Sequence, residues 1–243
     1  MKKRAAFILG LLLSSSAFAQ EIIPTETRPF AAELEGGIIH IRGNAEVENY
    51  SVRGVASYLQ EKNRYSLYGR YIQSQDDGVE SSRNWSTGLR YDFELTNRWG
   101  IFAGYKYEGD RFAGFFQRDS TDIGLRYYFI RNDDTSWAGE VGYRYSHVFY
   151  ILEPSSYDSL VRLYTAYLQN TENRNVAWGI WLEYLPIVSS DTNWQANGEA
   201  FVTMMFNQVF ALKISYLAMF QDSPAETVER MEKTFQTTLL ARF

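Results

Sequence analysis

From Ala32 to the last residue, apolar and polar side chains alternate nearly one for one. Between Asn84 and Leu95, Trp85, Thr87, Leu89, Tyr91, Phe93 and Leu95 fall on one side of an extended chain, and Asn84, Ser86, Gly88, Arg90, Asp92 and Glu94 on the other. A helix turns every 3.6 residues and cannot keep such sets apart, whereas a strand separates them at every step. The same alternation puts Trp99, Ile101, Ala103, Tyr105 and Tyr107 opposite Gly100, Phe102, Gly104, Lys106 and Glu108. It returns through Ile123 to Phe129, Trp137 to Tyr145, Val161 to Tyr167, Val176 to Tyr184, Trp194 to Phe206 and Phe210 to Phe220. With Ala32–Arg42, Tyr50–Leu59 and Arg64–Gln73 in front and Thr234–Phe243 behind, the pattern predicts about twelve strands of roughly membrane-crossing length.

The connections come in two kinds. Glu61-Lys62-Asn63, Thr96-Asn97, Arg131–Ser136, Asn170–Asn175 and Asn207-Gln208 are short and asparagine-containing, as tight hairpin turns are. Asp76–Ser82, Gly109–Gln117, Leu152–Tyr157, Ser189–Asn193 and Asp222–Met231 are mostly longer and are expected on the opposite side. The closing stretch is apolar on one face (Phe235, Thr237, Leu239, Ala241, Phe243) and polar on the other (Thr234, Gln236, Thr238, Arg242), with Leu240 breaking the pattern. A final strand that ends on a free aromatic carboxylate resembles the signal read by the machinery that assembles outer-membrane barrels, and Phe243 would carry it. The expected fold is therefore all-β: a transmembrane, up-and-down antiparallel β-barrel of about twelve strands. A soluble β-sandwich would have to hide every apolar face against a second sheet and does not predict so many tryptophans and tyrosines on them.

The chain start agrees with export. Lys2, Lys3 and Arg4, an apolar run from Ala5 to Leu13 and the small-residue site Ala17-Phe18-Ala19 make a secretory signal peptide over residues 1–19. That run is too short to span as a helix, which needs about 20 residues. Residues 20–31 read as a periplasmic leader and 32–243 as the barrel, so the expected location is the outer membrane of a Gram-negative bacterium. Loss of three positive charges with the signal takes the formal charge from -5 to -8, which argues against a nucleic-acid partner. No cysteine occurs, which excludes disulfides, thiolate metal sites and a lipid anchor at the cleavage site. Aromatic residues make 16% of the chain, which fits two interfacial girdles.

If the aromatic faces meet lipid, the other faces line the lumen. They carry Arg53, Arg70, Arg90, Lys106, Arg126, Arg144, Arg162, Lys213 and Arg242 against Asp92, Glu94, Glu108, Asp122, Glu140, Glu183 and Glu199. Near-cancelling charge admits either a water-filled passage of weak selectivity or a lumen filled by ion pairs. Inward glycines at 88, 100, 104, 124, 142 and 179 either leave room or relieve strand curvature. Catalysis finds little footing: His40 and His147 have no serine and acid in recognisable order around them. Asp76-Asp77 and Asp133-Asp134 read as solvated turn acids, and no cofactor or metal is expected.

Tyr105-Lys106-Tyr107-Glu108-Gly109-Asp110-Arg111-Phe112-Ala113-Gly114-Phe115, Gln117-Arg118 and Ile123-Gly124-Leu125-Arg126-Tyr127 resemble the DUF481 family, the YdiY-like salt-induced outer-membrane proteins. The matching loop residues are Asp110, Arg111, Phe112 and Gly114. Leu212-Lys213-Ile214-Ser215-Tyr216 and Asp222-Ser223-Pro224 are also similar, as is the opening Glu33-Leu34-Glu35-Gly36, although the family's Ser-Gly-Asn-Thr turn appears here as Arg42-Gly43-Asn44-Ala45. The resemblance implies an outer-membrane barrel tied to osmotic or salt stress and supplies no catalytic residues. The Asp110–Gly114 loop is expected to fold inward, with Phe112 packed and its charges paired at the barrel mouth. The expected function is a small passive channel or osmotic-stress envelope protein; the alternatives are a non-conducting structural barrel with a filled lumen and an outer-membrane hydrolase. Expected partners are outer-membrane lipid, lipopolysaccharide and the assembly machinery, with the chain a monomer.

Overall fold

The structure, a computed structural model, describes residues 29–41, 47–188, 193–222 and 230–243. The expected export signal, most of the expected leader, the Arg42–Ala45 turn and the middles of the Ser189–Asn193 and Asp222–Met231 connections lie outside the described residues. Twelve strands run in chain order: β1 Phe30–Ile41, β2 Val47–Gln60, β3 Asn63–Asp76, β4 Val79–Glu94, β5 Trp99–Asp110, β6 Phe115–Arg131, β7 Thr135–Tyr150, β8 Ser156–Asn170, β9 Val176–Pro186, β10 Trp194–Met205, β11 Phe210–Gln221 and β12 Met231–Arg242. Each pairs antiparallel with its sequence neighbours, and β1 closes on β12 to complete a barrel. The strand begins two residues before the expected leader boundary, at Phe30.

Closure leaves no edge strand to pair with another chain. The seam is short, running from Glu33↔Arg242 to Gly36↔Leu239. It is extended by the C-terminal residue: the Ala32 N–H donates to the Phe243 carbonyl at 3.0 Å and the Phe243 N–H to the Ala32 carbonyl at 2.8 Å.

At the end bearing both termini the turns are built by side-chain acceptors. Asn132 Oδ1 accepts the N–H groups of Asp134 and Thr135, and Asn207 Oδ1 those of Val209 and Phe210. Asn173 accepts from the Asn175 N–H. Thr96, rather than Asn97, does this work before β5, accepting from Arg98 and Trp99. At the loop end the expected Asp76–Ser82 loop is instead a two-residue turn. Asp77 and Gly78 adopt φ of 49° and 76°, the left-handed pair that Asp-Gly favours in a tight hairpin, so β3 and β4 run on into the region read as loop.

The alternation has its physical outcome in two surfaces. Outward lie Leu34, Val52, Leu67, Leu89, Ile123, Val141, Leu182 and Leu239, all largely exposed, and an apolar outer face of this kind meets hydrocarbon. Aromatic pairs ring both ends. Tyr65–Tyr91, Trp99–Tyr127, Phe129–Trp137 and Tyr167–Trp178 lie toward the termini; Trp85–Tyr107, Phe116–Phe149, Tyr184–Trp194 and Trp194–Phe220 lie toward the loops. These are the amphipathic rings that membrane interfaces hold.

Candidate functional site

The inside of the barrel is the candidate site. It has two halves of different character. On β4 to β9 an ion network fills the section. Arg90 donates to Asp92 (2.8 Å) and Glu140 (2.7 Å), and Arg126 to the same two acids (2.8 and 2.7 Å). Arg162 joins Glu140 (2.5 Å) to Glu183 (2.7 Å), and Arg144 joins Glu183 (3.3 Å) to Asp122 (2.6 Å). Asn197 Nδ2 donates to Glu183 at 3.1 Å. Four guanidiniums thus meet four carboxylates in a neutral cluster, with fork geometry that suits arginine better than lysine. Nearer the loops, Glu108 is held between Lys106 and Arg118.

Rings complete the filling. Phe102 is buried on β5, with the Arg90 guanidinium 4.1 Å and the Arg162 guanidinium 5.5 Å from its centroid. A Cβ at Gly124 would stand 2.7 Å from Phe102 Cζ and nearer still to the Val141 carbonyl oxygen, so this ring and the neighbouring backbone, not an open passage, adjoin the inward glycines at 124 and 142. Tyr128, Ala138, Tyr164, Trp181, Leu217 and Met219 form an apolar cluster inside the same barrel. The lumen is therefore not uniformly polar.

The other half, on β1–β3 and β9–β12, holds a second set of charges. Arg53 Nη1 donates to Glu35 at 2.5 Å, and the Lys213 ammonium lies 3.3 Å from Glu35 and 3.1 Å from Glu199. Trp181 Nε1 donates to the other oxygen of Glu199 at 3.0 Å. Two cavities flank this group. One, of about 60 Å³, extends toward the loops past Ser51, Tyr68, Arg70 and Ser86. The other, of about 80 Å³, extends toward the termini past Ser136, Phe201, Thr203 and Arg242. Glu35, Trp181 and Lys213 line both. Both cavities fall far below the roughly 300–1,000 Å³ of ordinary small-molecule sites. A larger hollow of about 510 Å³ lies outside, an apolar groove beside Gly139 between Leu125, Trp137, Val141 and Leu182 that faces lipid.

The expected lumen residues divide by place. Arg90, Asp92, Lys106, Glu108, Arg126, Glu140, Arg144, Arg162, Glu183, Glu199 and Lys213 are buried inside the barrel, and Asp122 is partly so. Glu94 and Arg242 sit at the terminus-end mouth instead, where Glu94 accepts from Arg131 at 2.7 Å and Arg242 donates to Glu33 at 2.8 Å. Glu35, Trp181 and Arg118 were not among the expected lumen residues. Parity with Glu33, Glu183 and Ser120 respectively places each on the inward face, as it did Phe102.

The Asp110–Gly114 loop departs from expectation. Asp110 Oδ1 accepts the N–H groups of Phe112 and Ala113 at 2.9 and 3.0 Å, and Gly114 takes a φ of 85° that suits glycine. The acid thus ties a four-residue turn whose tip, Arg111 and Phe112, points to solvent; Phe115 is the ring that packs inward, under Arg118. Arg111→Ala should leave any bilayer conductance unchanged, because the side chain stands away from the lumen; a change would show that the tip folds over the mouth in a membrane. His147 lies on the outer face, stacked on Tyr157 and tilted against Phe149 at centroid distances of 4.1 and 4.0 Å, and the His40 side chain lies outside the described residues.

Comparison with known proteins agrees with this architecture. The model of the family described as "Protein of unknown function, DUF481" matches residues 34–243. The uncharacterized protein YdiY of Escherichia coli (strain K12) is 24% identical over 240 residues, covering 96% of this chain and 92% of that protein. Among solved structures, the NanC porin superposes with a TM-score of 0.52 at 9% identity over 87% of this chain and 97% of its own. The KdgM porin, solved in complex with disordered oligogalacturonate, gives 0.48 at 12% identity over 87% of this chain and 96% of its own.

Proposed function

Because this chain belongs to the DUF481 family and folds as a porin-like outer-membrane barrel, we propose that it is a narrow passive channel passing water and small ions. The observation that carries this reading is the pair of cavities lying on the loop side and the terminus side of one shared group, Glu35, Trp181 and Lys213. A structural barrel has no need of aligned cavities on one side of its lumen. The dimensions support small solutes and exclude oligosaccharides, because the two cavities are about 60 and 80 Å³ and the rest of the section is filled.

The chain reaches the membrane through a signal peptide cleaved after Ala19, and Phe243, already bonded into the seam, is the contact offered to the assembly machinery. Its outer face meets lipid and lipopolysaccharide, it works as a monomer, and it carries no catalytic step. Salt stress is the setting that the family resemblance implies, and a channel for small ions fits it.

The test is planar-bilayer recording of the refolded mature protein, with liposome swelling alongside. A small steady conductance, with swelling in small electrolytes and none in an oligosaccharide, is the expected result. A folded, heat-modifiable barrel that is silent at every salt concentration would favour the second reading, a structural strut. The neutral cluster from Asp92 to Asp122 supports that reading, since it fills half the section.

A further inference from the structure

The group between the two cavities, Glu35, Trp181 and Lys213 with their partners Arg53 and Glu199, is a septum, and its chemistry says what it does. Glu35 stands on β1, Arg53 on β2, Trp181 on β9, Glu199 on β10 and Lys213 on β11, so the group bridges the open side of the barrel from both flanks of the β1–β12 seam. Glu35 is anchored by Arg53 at 2.5 Å and Glu199 by the Trp181 indole at 3.0 Å. Each acid therefore keeps a partner without Lys213. The lysine is the one member that reaches both acids, at 3.3 and 3.1 Å, and it is a single flexible chain rather than a planar fork. Its ammonium also lies 5.1 Å from the Phe201 centroid, on the terminus side. All five groups are nearly closed to solvent, yet a cavity begins on either side of them.

We propose that Lys213 is the closing and charge-selecting residue of the lumen, a tethered cation that occupies the place between Glu35 and Glu199 which a permeating cation would take. This inference rests on the channel reading and deepens it. In the resting septum two acids and two bases cancel. With the ammonium drawn aside or removed, Glu35 and Glu199 face each other across the septum with Arg53 as its remaining base, while Arg70 lines the loop-side cavity bonded to Asn84 at 3.2 Å, so the constriction itself turns net negative and favours cations over anions. The filled half plays no part, since its guanidiniums are each shared between two acids.

The experiment compares wild type, Lys213→Arg, Lys213→Ala and the double variant Lys213→Ala/Glu199→Gln in planar bilayers, with conductance and reversal potential in a potassium chloride gradient as readouts. Heat-modifiable mobility selects folded protein. The double variant guards against a single variant that fails to fold, because it removes the acid that would be left without its cation. Lys213→Ala is expected to raise conductance several-fold and shift the reversal potential toward that of potassium. The double variant should raise conductance with little preference, and Lys213→Arg should resemble wild type. A conducting wild type whose conductance and selectivity do not change in these variants would overturn the inference and leave the channel reading intact. A rise without cation preference in Lys213→Ala would also overturn it, as general loosening. A silent wild type with conducting, cation-selective Lys213→Ala would support the septum and revise the channel reading to one closed at rest. Folded, silent variants throughout would overturn both.

Discussion

Glu140→Ala is expected to destabilise the barrel by about 3–5 kcal/mol, the cost of breaking a buried ion pair from one side. Glu140 accepts from Arg90 at 2.7 Å, Arg126 at 2.7 Å and Arg162 at 2.5 Å, and its side chain is only 1% exposed. Deleting it converts a neutral cluster of four bases and four acids into one with an excess cation at its centre. The remaining acids are committed, because Asp92, Glu183 and Asp122 each already receive an arginine. Water cannot readily take over, since Phe102, Tyr128 and Tyr164 pack the spaces between the guanidiniums. The contrast is Arg174→Ala. Its pairs with Asp133 and Asp134 are 3.6 Å long and well exposed, so the expected loss is under about 0.5 kcal/mol. Urea unfolding of both variants in lipid vesicles, followed by tryptophan fluorescence, checks the pair. A Glu140→Ala loss as small as that of Arg174→Ala would mean that water screens the cluster and that this half of the lumen is open.

The alternation that made the strands legible worked because the two faces of each strand meet media as different as hydrocarbon and a buried lumen. Register followed from it. Where the sequence misled, the competing force was local. Asp77-Gly78 is short enough to turn the chain by itself, so the polar residues around it continued as strand instead of forming a loop. Asp110 found its partners in the backbone two and three residues on, which fixed the turn and left Arg111 and Phe112 at its tip. Polarity alone could not distinguish those outcomes.

Inside the barrel the limit was different. Parity assigns a face but says nothing of what the side chains on that face do to one another. Leu240 looked like a break in the pattern; it is buried, and lines the cavity toward the termini with Trp181 and Thr203. Nearly balanced inward charge, nine bases against seven acids, was visible in the sequence, but whether they paired across water or in contact depended on long-range meetings. Lys213 and Glu35 are 178 residues apart in the chain. Arg90 and Glu140 are 50 apart, and only barrel closure and curvature bring them together.

Phe102→Ala is the other substitution expected to cost about 3–5 kcal/mol, as for a large buried ring, and its comparison with Gly124→Ala decides what the inward glycines are for. Phe102 is 2% exposed, and its ring lies over Gly124 and Gly142, which face each other across β6 and β7. An added Cβ at Gly124 would meet Phe102 Cζ at 2.7 Å and also crowd the Val141 carbonyl, so Gly124→Ala alone should cost about 1–3 kcal/mol through overpacking. If the ring is the main obstacle, the two changes share one space. The double variant should then be less destabilised than the two single losses added, by a coupling of at least about 0.5 kcal/mol. Strict additivity would assign the glycine to strand curvature instead. Conductance gives the second readout. Removing the ring leaves Arg90 and Arg162 tied to their carboxylates, so the filled half should stay closed and Phe102→Ala should conduct like wild type. A rise matching that of Lys213→Ala would make the arginine network, and not the septum near the β1–β12 seam, the barrier across this lumen.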